Sequence, residues 1–171
     1  MHGARKGLLC AVISLGTCAP VLADMTTTEP SPCESGETIV FSCSTGSKRI
    51  SLCQAGTTDG NEPRLSYRYG QPGAPPDLVY QAATGASSGF QAGTETLSGG
   101  GGAWIEFSRQ RHRYVVFSFW IQGEGEVSGV AVERSGRRIT TQSCQQAAIS
   151  RLGADYFSSA RLPLASQDFQ P

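Results

Sequence analysis

The sequence predicts an all-β protein: a small antiparallel meander of about eight strands, closed as a barrel or packed as a sandwich, with a short C-terminal helix. Three observations predict it. Short runs of alternating apolar residues recur at hairpin spacing. Glycine is frequent, at 21 of 171 residues, while charged residues make up only 16%. The cysteines, finally, are spaced to join strands rather than to bind a metal.

Residues 1–23 have the features of a secretory signal peptide. Arg5 and Lys6 precede an apolar run, and the run ends with Val21 and Ala23 at the two positions that a signal peptidase reads. The run is short for a membrane span, and nothing later in the chain resembles one. We therefore expect a secreted or periplasmic protein without a membrane span. Cys18 leaves a lipoprotein as the alternative.

Removal of the leader leaves 148 residues, enough for one domain with a hydrophobic core. We expect a linker over 24–32, a β-barrel domain over 33–153 and a loose tail over 154–171. The remaining chain has 12 basic and 14 acidic residues, a formal charge of −2. That charge gives no field that would select nucleic acid or an anionic membrane.

Four cysteines remain after the leader, and an even number in an exported chain predicts two disulfides. No pair has the C-x-x-C spacing of a zinc or redox site, so we expect neither a metal nor a cofactor. The four cysteines are Cys33, Cys43, Cys53 and Cys144.

The pairing follows in part from the first predicted hairpin, whose two strands flank the loop "STGS". Pairing across this loop places Cys43 opposite Lys48, and Cys53 then lies at the far end of the hairpin. Disulfide-bonded Cα atoms must approach to about 4.4–6.8 Å, which excludes a Cys43–Cys53 bridge. Cys144 therefore bonds Cys43 or Cys53. The position of Cys33 just before the strand end that faces Cys53 favours Cys33–Cys53.

Six further runs read as strands: "RLSYRY", "DLVYQA", "AWIEFSR", "RYVVFSFWIQ", "VSGVAVER" and "RRITTQSC". The segment 145–152 reads as a helix, with Gly153 as its C-cap. Two long loops interrupt the meander, at 55–63 and 83–102. The second contains Gly99–Gly102 and predicts a flexible loop or a strand bulge, which could carry a binding surface.

Residues for catalysis are scarce. His112 is the one histidine after the leader, and its neighbours in "RQRHRY" are arginines rather than an orienting carboxylate. Glu124 and Glu126 lie in one turn, whereas paired glycosidase carboxylates come from separate elements. We therefore expect a protein that is not an enzyme.

Basic residues should gather at one end of the domain if the last two hairpins form, with Arg109 paired with Arg113 across "QRH". They are a solvated rim partly compensated by Glu133, or a docking surface for an acidic protein partner, since arginine forks bind carboxylates bidentately. The candidate partner-binding residues are Arg109, Arg111, His112, Arg113, Arg134, Arg137 and Arg138.

The order "CESGE", "FSC", "ISLC", "LSYRYG", "YVVFSFW" and "SGVAVERSGR", closed by Cys144, resembles small exported disulfide-stapled β proteins of Gram-negative bacteria, which have no established activity. The architecture is more distantly similar to periplasmic lysozyme inhibitors, which block a carboxylate-bearing cleft. The resemblance implies an exported, non-catalytic binding protein of the envelope that inhibits an acidic-cleft enzyme such as lysozyme. A structural envelope protein without a dedicated ligand is the alternative.

Overall fold

The computed structural model describes residues 31–56, 63–81 and 89–171. The expected signal peptide at 1–23 and most of the expected linker lie outside the described residues. Positions 57–62 of the first expected loop, and positions 82–88 at the start of the second, also lie outside them.

Ten strands form two antiparallel five-stranded sheets in the described residues. The first sheet has the order β10-β1-β2-β3-β4, and the second has the order β5-β6-β7-β8-β9. The first contains β1 (Thr38–Ser44), β2 (Arg49–Ala55), β3 (Arg64–Gly70), β4 (Leu78–Gln81) and β10 (Ile149–Ser150). The second contains β5 (Phe90–Leu97), β6 (Gly100–Arg109), β7 (His112–Ile121), β8 (Gly125–Arg134) and β9 (Arg137–Ser143).

This architecture confirms the all-β prediction and the sandwich alternative. The closed barrel is wrong, because the strand ladders of the described residues stop at the edges of each sheet. The chain crosses back to the first sheet after β9, where the Gln145 N–H donates to the Ser44 carbonyl at 2.8 Å. The last strand thereby returns to pair with the first.

Two strands lie where none was expected. Strand β5 falls in the predicted loop 83–102, and Gly100–Gly102 belong to β6 rather than to a flexible loop. The β5 sequence "FQAGTETL" has two buried residues, Phe90 and Ala92, so its alternation of apolar and polar residues is weak. Strand β10 occupies the middle of the expected helix 145–152.

The observed helix is α1 (Ala154–Ser159), so the helix expected at 145–152 is wrong. Gly153 is at its N-terminal end rather than its C-terminal end. Within the described residues, no helix is both long and apolar enough to cross a membrane.

Both disulfides join the hairpin of β1 and β2 to other parts of the chain. Cys33 bonds Cys53 with a Cα–Cα distance of 5.5 Å, and Cys43 bonds Cys144 at 5.6 Å. The excluded Cys43–Cys53 bridge is thus absent, and the favoured pairing is confirmed. Two such bridges are typical of proteins from an oxidising, extracellular or periplasmic environment.

The register of this hairpin differs from the expected one by two residues. Cys43 lies opposite Ile50 instead of Lys48. The turn runs from Thr45 to Lys48, where the Thr45 N–H donates to the Lys48 carbonyl at 2.8 Å. This shift of two residues holds from Phe41 to Ser44, and a bulge between Ile39 and Phe41 reduces it to one residue at Ile39. Cys53 still lies at the far end of the hairpin, so the argument against a Cys43–Cys53 bridge survives the wrong register.

The main core lies between the two sheets and is rich in aromatic side chains. Tyr80 of β4 stacks on Phe107 of β6, with ring centroids 4.3 Å apart and planes 12° apart. Tyr67 lies 5.0 Å from the same ring and is 1% exposed. These contacts join β3 and β4 of the first sheet to β6 of the second.

A second hydrophobic cluster lies on the outer face of the second sheet. Trp104, Phe117 and Phe119 project there, and each is no more than 2% exposed. The segment after α1 covers them: the Ala92 N–H donates to the Pro163 carbonyl, and the Phe169 ring lies 5.1 Å from that of Phe117. Residues 154–171, expected to be a loose tail, therefore form part of the folded structure.

Candidate partner-binding surface

The hairpin turns between β6 and β7 and between β8 and β9 lie at the same end of the second sheet. Arg109 pairs with His112, His112 with Arg134, and Arg134 with Arg137. Residues directly opposite one another project from the same face. Arg109, His112, Arg134 and Arg137 therefore form one line across four strands, here called the basic row.

The basic row lies on the face that packs against the first sheet, just beyond the aromatic core. Neighbouring strands are about 4.8 Å apart, so the row spans about 14 Å. Arg109 Nη1 donates to the Val79 carbonyl at 3.1 Å. Arg134 and Arg137 are exposed, and neither forms an ion pair within the described residues. Like charges directly opposite in a sheet are unfavourable.

Arg113 lies on the other face and is not part of this row. Its Nη1 donates to Glu133 at 2.7 Å, and its Nη2 donates to Glu106. Burial lowers the pKa of Arg113, but the hydrogen bonds and charges of the two carboxylates together outweigh burial, and the pKa lies above its usual value. Arg113 is thus compensated from both sides and unavailable to a partner.

Arg138 projects from the same outer face as Arg113. Its Nη2 lies 3.8 Å from the Glu133 carboxylate, and its guanidinium lies 4.8 Å from the centre of the Phe169 ring. The same nitrogen donates to the Gln170 carbonyl. Arg138 therefore holds the C-terminal segment against the sheet.

The predicted cluster of arginines thus divides between two faces of the sheet. The expectation that Arg109 pairs with Arg113 across "QRH" is wrong, because Arg109 pairs with His112 across a turn of two residues. That difference of one residue moves Arg113 to the opposite face. Glu133 was expected to compensate the rim in part; among the described residues it pairs with Arg113 and Arg138, on the outer face.

Arg111 lies at the tip of the turn between β6 and β7. The φ angles of Gln110 and Arg111 are 49° and 65°, the left-handed pair of a type I′ turn. Glycine and asparagine are the usual residues in such turns, because glycine has no Cβ and the short polar side chain of asparagine tolerates the left-handed region. Arg111 is exposed and forms no ion pair within the described part of the chain. A charged side chain is thus presented at a strained position.

Replacing Gln110 by Asn together with Arg111 by Gly should raise the free energy of unfolding by about 1 kcal/mol, because it removes the left-handed strain. Urea unfolding measures the change. Arg111→Gln is the matched control, since it removes the charge and keeps the strain, and it should give no such gain. An equal gain from the control would show that charge repulsion, not backbone strain, is responsible.

A cleft of about 270 Å³ lies between these turns and the C-terminal segment. Its lining includes Glu106, Arg111, His112, Arg113, Glu133 and Gln167. His112 Nδ1 lies 2.9 Å from the Gln110 carbonyl oxygen. Glu106 and Glu133, the two acids of the cleft, are both bonded to Arg113.

Sequence reasoning missed Glu106, whose other partner is Trp104, with Nε1 donating to the carboxylate at 3.0 Å. The available signal was an acid inside the apolar strand "AWIEFSR". Glu124 and Glu126 lie at the other end of the sheet, in and after the turn between β7 and β8. The expectation that the protein is not an enzyme stays a prediction.

One group of residues could in principle hold a metal. The ligand atoms of Cys33, Glu37 and Cys53 lie within 4.8 Å of one another. The two sulfurs form a disulfide, which leaves no thiolate for an ion. In addition, Glu37 bonds Arg68, at 3.1 Å between Oε1 and Nη2. This group is therefore better explained as part of the fold.

No family model, curated protein or solved structure matches this chain. The resemblance to exported proteins of Gram-negative bacteria and to lysozyme inhibitors remains a prediction from the sequence.

Proposed function

We propose that this protein is an exported, non-catalytic binding protein that docks an acidic protein partner through the basic row and Arg111. One observation carries the proposal. Arg134 and Arg137 lie directly opposite one another without an ion-pairing carboxylate among the described residues, although Glu133 adjoins Arg134 in sequence. Glu133 serves the opposite face instead. The fold thus keeps two cations side by side, and a partner that supplies carboxylates would relieve their repulsion.

Export is supported by the two disulfides and by the leader predicted at 1–23. The partner that these features favour is an enzyme with an acidic cleft in the bacterial envelope, and lysozyme is the first to test. Two hairpin turns end at the same level, with Arg111 at the tip of one. This shape suits insertion into a cleft that is lined by carboxylates.

The test compares the parent protein with Arg134→Gln/Arg137→Gln, using Arg64→Gln on the first sheet as the matched control. The melting temperature of the double variant should stay unchanged or rise slightly, because exposed charges contribute little to stability. Its inhibition of cell-wall lysis should weaken, mainly through a slower association rate. Raising the salt concentration should weaken the parent in the same way.

If the protein inhibits none of the lysozyme types, lysozyme is not its partner. The same variants and salt concentrations would then be used to measure binding to acidic envelope proteins. Binding that is insensitive both to salt and to the double variant would contradict the basic row as the docking surface.

A further inference from the structure

The far end of the second sheet carries a second line of residues on the same face as the basic row. Trp120 pairs with Gly101 on one side and with Glu126 on the other. Trp120 is 58% exposed, whereas Trp104, the other tryptophan, is 2% exposed. Because Gly101 has no side chain, one flank of the indole has no directly opposite side chain to cover it.

The carboxylate beside this indole is held in place. Glu126 Oε1 accepts the Ala148 N–H at 3.1 Å and the Ser128 hydroxyl at 3.4 Å. Glu124 is exposed in the adjoining turn. Neither Glu124 nor Glu126 forms an ion pair within the described residues. This end therefore presents unpaired negative charge next to an exposed aromatic ring.

An indole face beside a fixed carboxylate suits an arginine side chain. The planar guanidinium stacks on aromatic rings, tryptophan being the best of them, and its fork bonds a carboxylate. Opposite residues of adjacent strands have Cβ atoms about 5 Å apart, so one guanidinium can contact both side chains. A lysine would satisfy the charge but not the stacking geometry.

We propose that the Trp120–Glu126 end of one copy binds Arg134 or Arg137 of a second copy, so that copies join head to tail. Charge complementarity selects this occupant. Unpaired arginines lie at one end of the sheet, and unpaired carboxylates lie at the other. The two ends are eight residues apart along each strand, or about 27 Å. A head-to-tail contact leaves both outer ends free, so it extends into chains or closes into rings.

This inference rests on the proposed function, because it supplies the acidic partner of the basic row from the protein itself. The first measurement is sedimentation velocity of the purified parent protein over a wide concentration range. Larger species should appear as the concentration rises, and salt of about 1 M, where the screening length is about 3 Å, should disperse them. The fluorescence emission of Trp120 should shift to shorter wavelength as copies associate.

Variants of the two ends give the sharper test. Arg134→Gln/Arg137→Gln removes the two arginines that would bind. Trp120→Ser/Glu126→Gln removes the indole and the carboxylate that would receive them, while the new amide oxygen still accepts the Ala148 N–H. Each variant alone should associate at least about tenfold more weakly than the parent. An equimolar mixture should form a 1:1 dimer and nothing larger, because it contains one intact pair of complementary ends. Unchanged melting temperatures would show that both variants fold.

A parent protein that stays monomeric at every concentration would overturn the inference, as would association that persists in both variants. The proposed function is tested separately by the binding of an acidic partner to Trp120→Ser/Glu126→Gln, which keeps the basic row. Binding of that partner, together with a parent protein that stays monomeric at every concentration, would overturn the inference and leave the proposed function standing. If the parent self-associates but binds no foreign acidic protein, the proposed function is wrong and the inference stands.

Discussion

Replacing Cys43 and Cys144 by alanine should lower the free energy of unfolding by about 5 kcal/mol, the larger of the two disulfide effects. This bridge joins residues 101 positions apart, and Cys33–Cys53 joins residues 20 apart. Removing a bridge restores conformational entropy to the unfolded chain in proportion to the logarithm of the loop length. The same estimate gives about 3 kcal/mol for Cys33→Ala/Cys53→Ala.

Urea unfolding of the parent and of both double-alanine variants, followed by circular dichroism, measures the difference. Each bridge contains one fully buried cysteine, Cys43 or Cys53, so the loss of packing is similar in the two variants. A larger loss for the Cys33–Cys53 variant would contradict the argument from loop length. The loss of stability would then come mainly from lost packing in the folded state.

Gly102→Ala should lower the free energy of unfolding by about 3 kcal/mol, because there is no room for a methyl group at this position. A Cβ at Gly102 would stand 2.5 Å from the Ser118 carbonyl oxygen and 2.6 Å from Phe119 Cδ1. Phe119 is 2% exposed in the outer cluster beneath Phe169, so its ring cannot move aside freely. Overpacking of this kind displaces backbone as well as side chains.

Gly153→Ala is the matched control, since its Cβ would meet nothing within 4 Å and its φ of 162° is extended backbone. Thermal and urea unfolding of the two variants measures the difference. Equal stability of the two alanine variants would show that the outer cluster is loosely packed. It would also show that β6 does not need a glycine at position 102 to make room for the Phe119 ring.

Much of this fold could be predicted from alternation and from the cysteines. The expected strands reappear as β1 to β4 and β6 to β9, and the excluded disulfide is absent. Segment 145–152 was mistaken for a helix because "QQAAISRL" has good helix formers. Tertiary contacts override that preference: Cys144 is bonded to Cys43, and Ile149 pairs with Ser42 of β1.

The sequence predicts which end of the sheet carries the arginines of the candidate site, but not which face of the sheet each of them projects from. Turn residues placed the arginines at one end, but a shift of one residue decides which face each side chain takes. The carboxylate partner Glu106 and the covering Phe169 come from segments far apart in sequence, and local patterns do not record such contacts. Alternation along "RYVVFSFWIQ" places Trp120 on the face opposite Phe117 and Phe119, but it does not show that Trp120 lies beyond the first sheet and is exposed.

If the chain is exported as proposed, the order of the four cysteines has a consequence for its oxidation. The bridges link the first cysteine with the third and the second with the fourth. A chain that crosses a membrane from its N-terminus presents Cys33 and Cys43 first, and an oxidase that joins thiols as they emerge would bond these two. The native pair forms only after a free thiolate attacks that bridge and exchanges it. We therefore expect the yield of correctly bridged protein to depend on a disulfide isomerase, and a strain lacking one should accumulate the Cys33–Cys43 isomer.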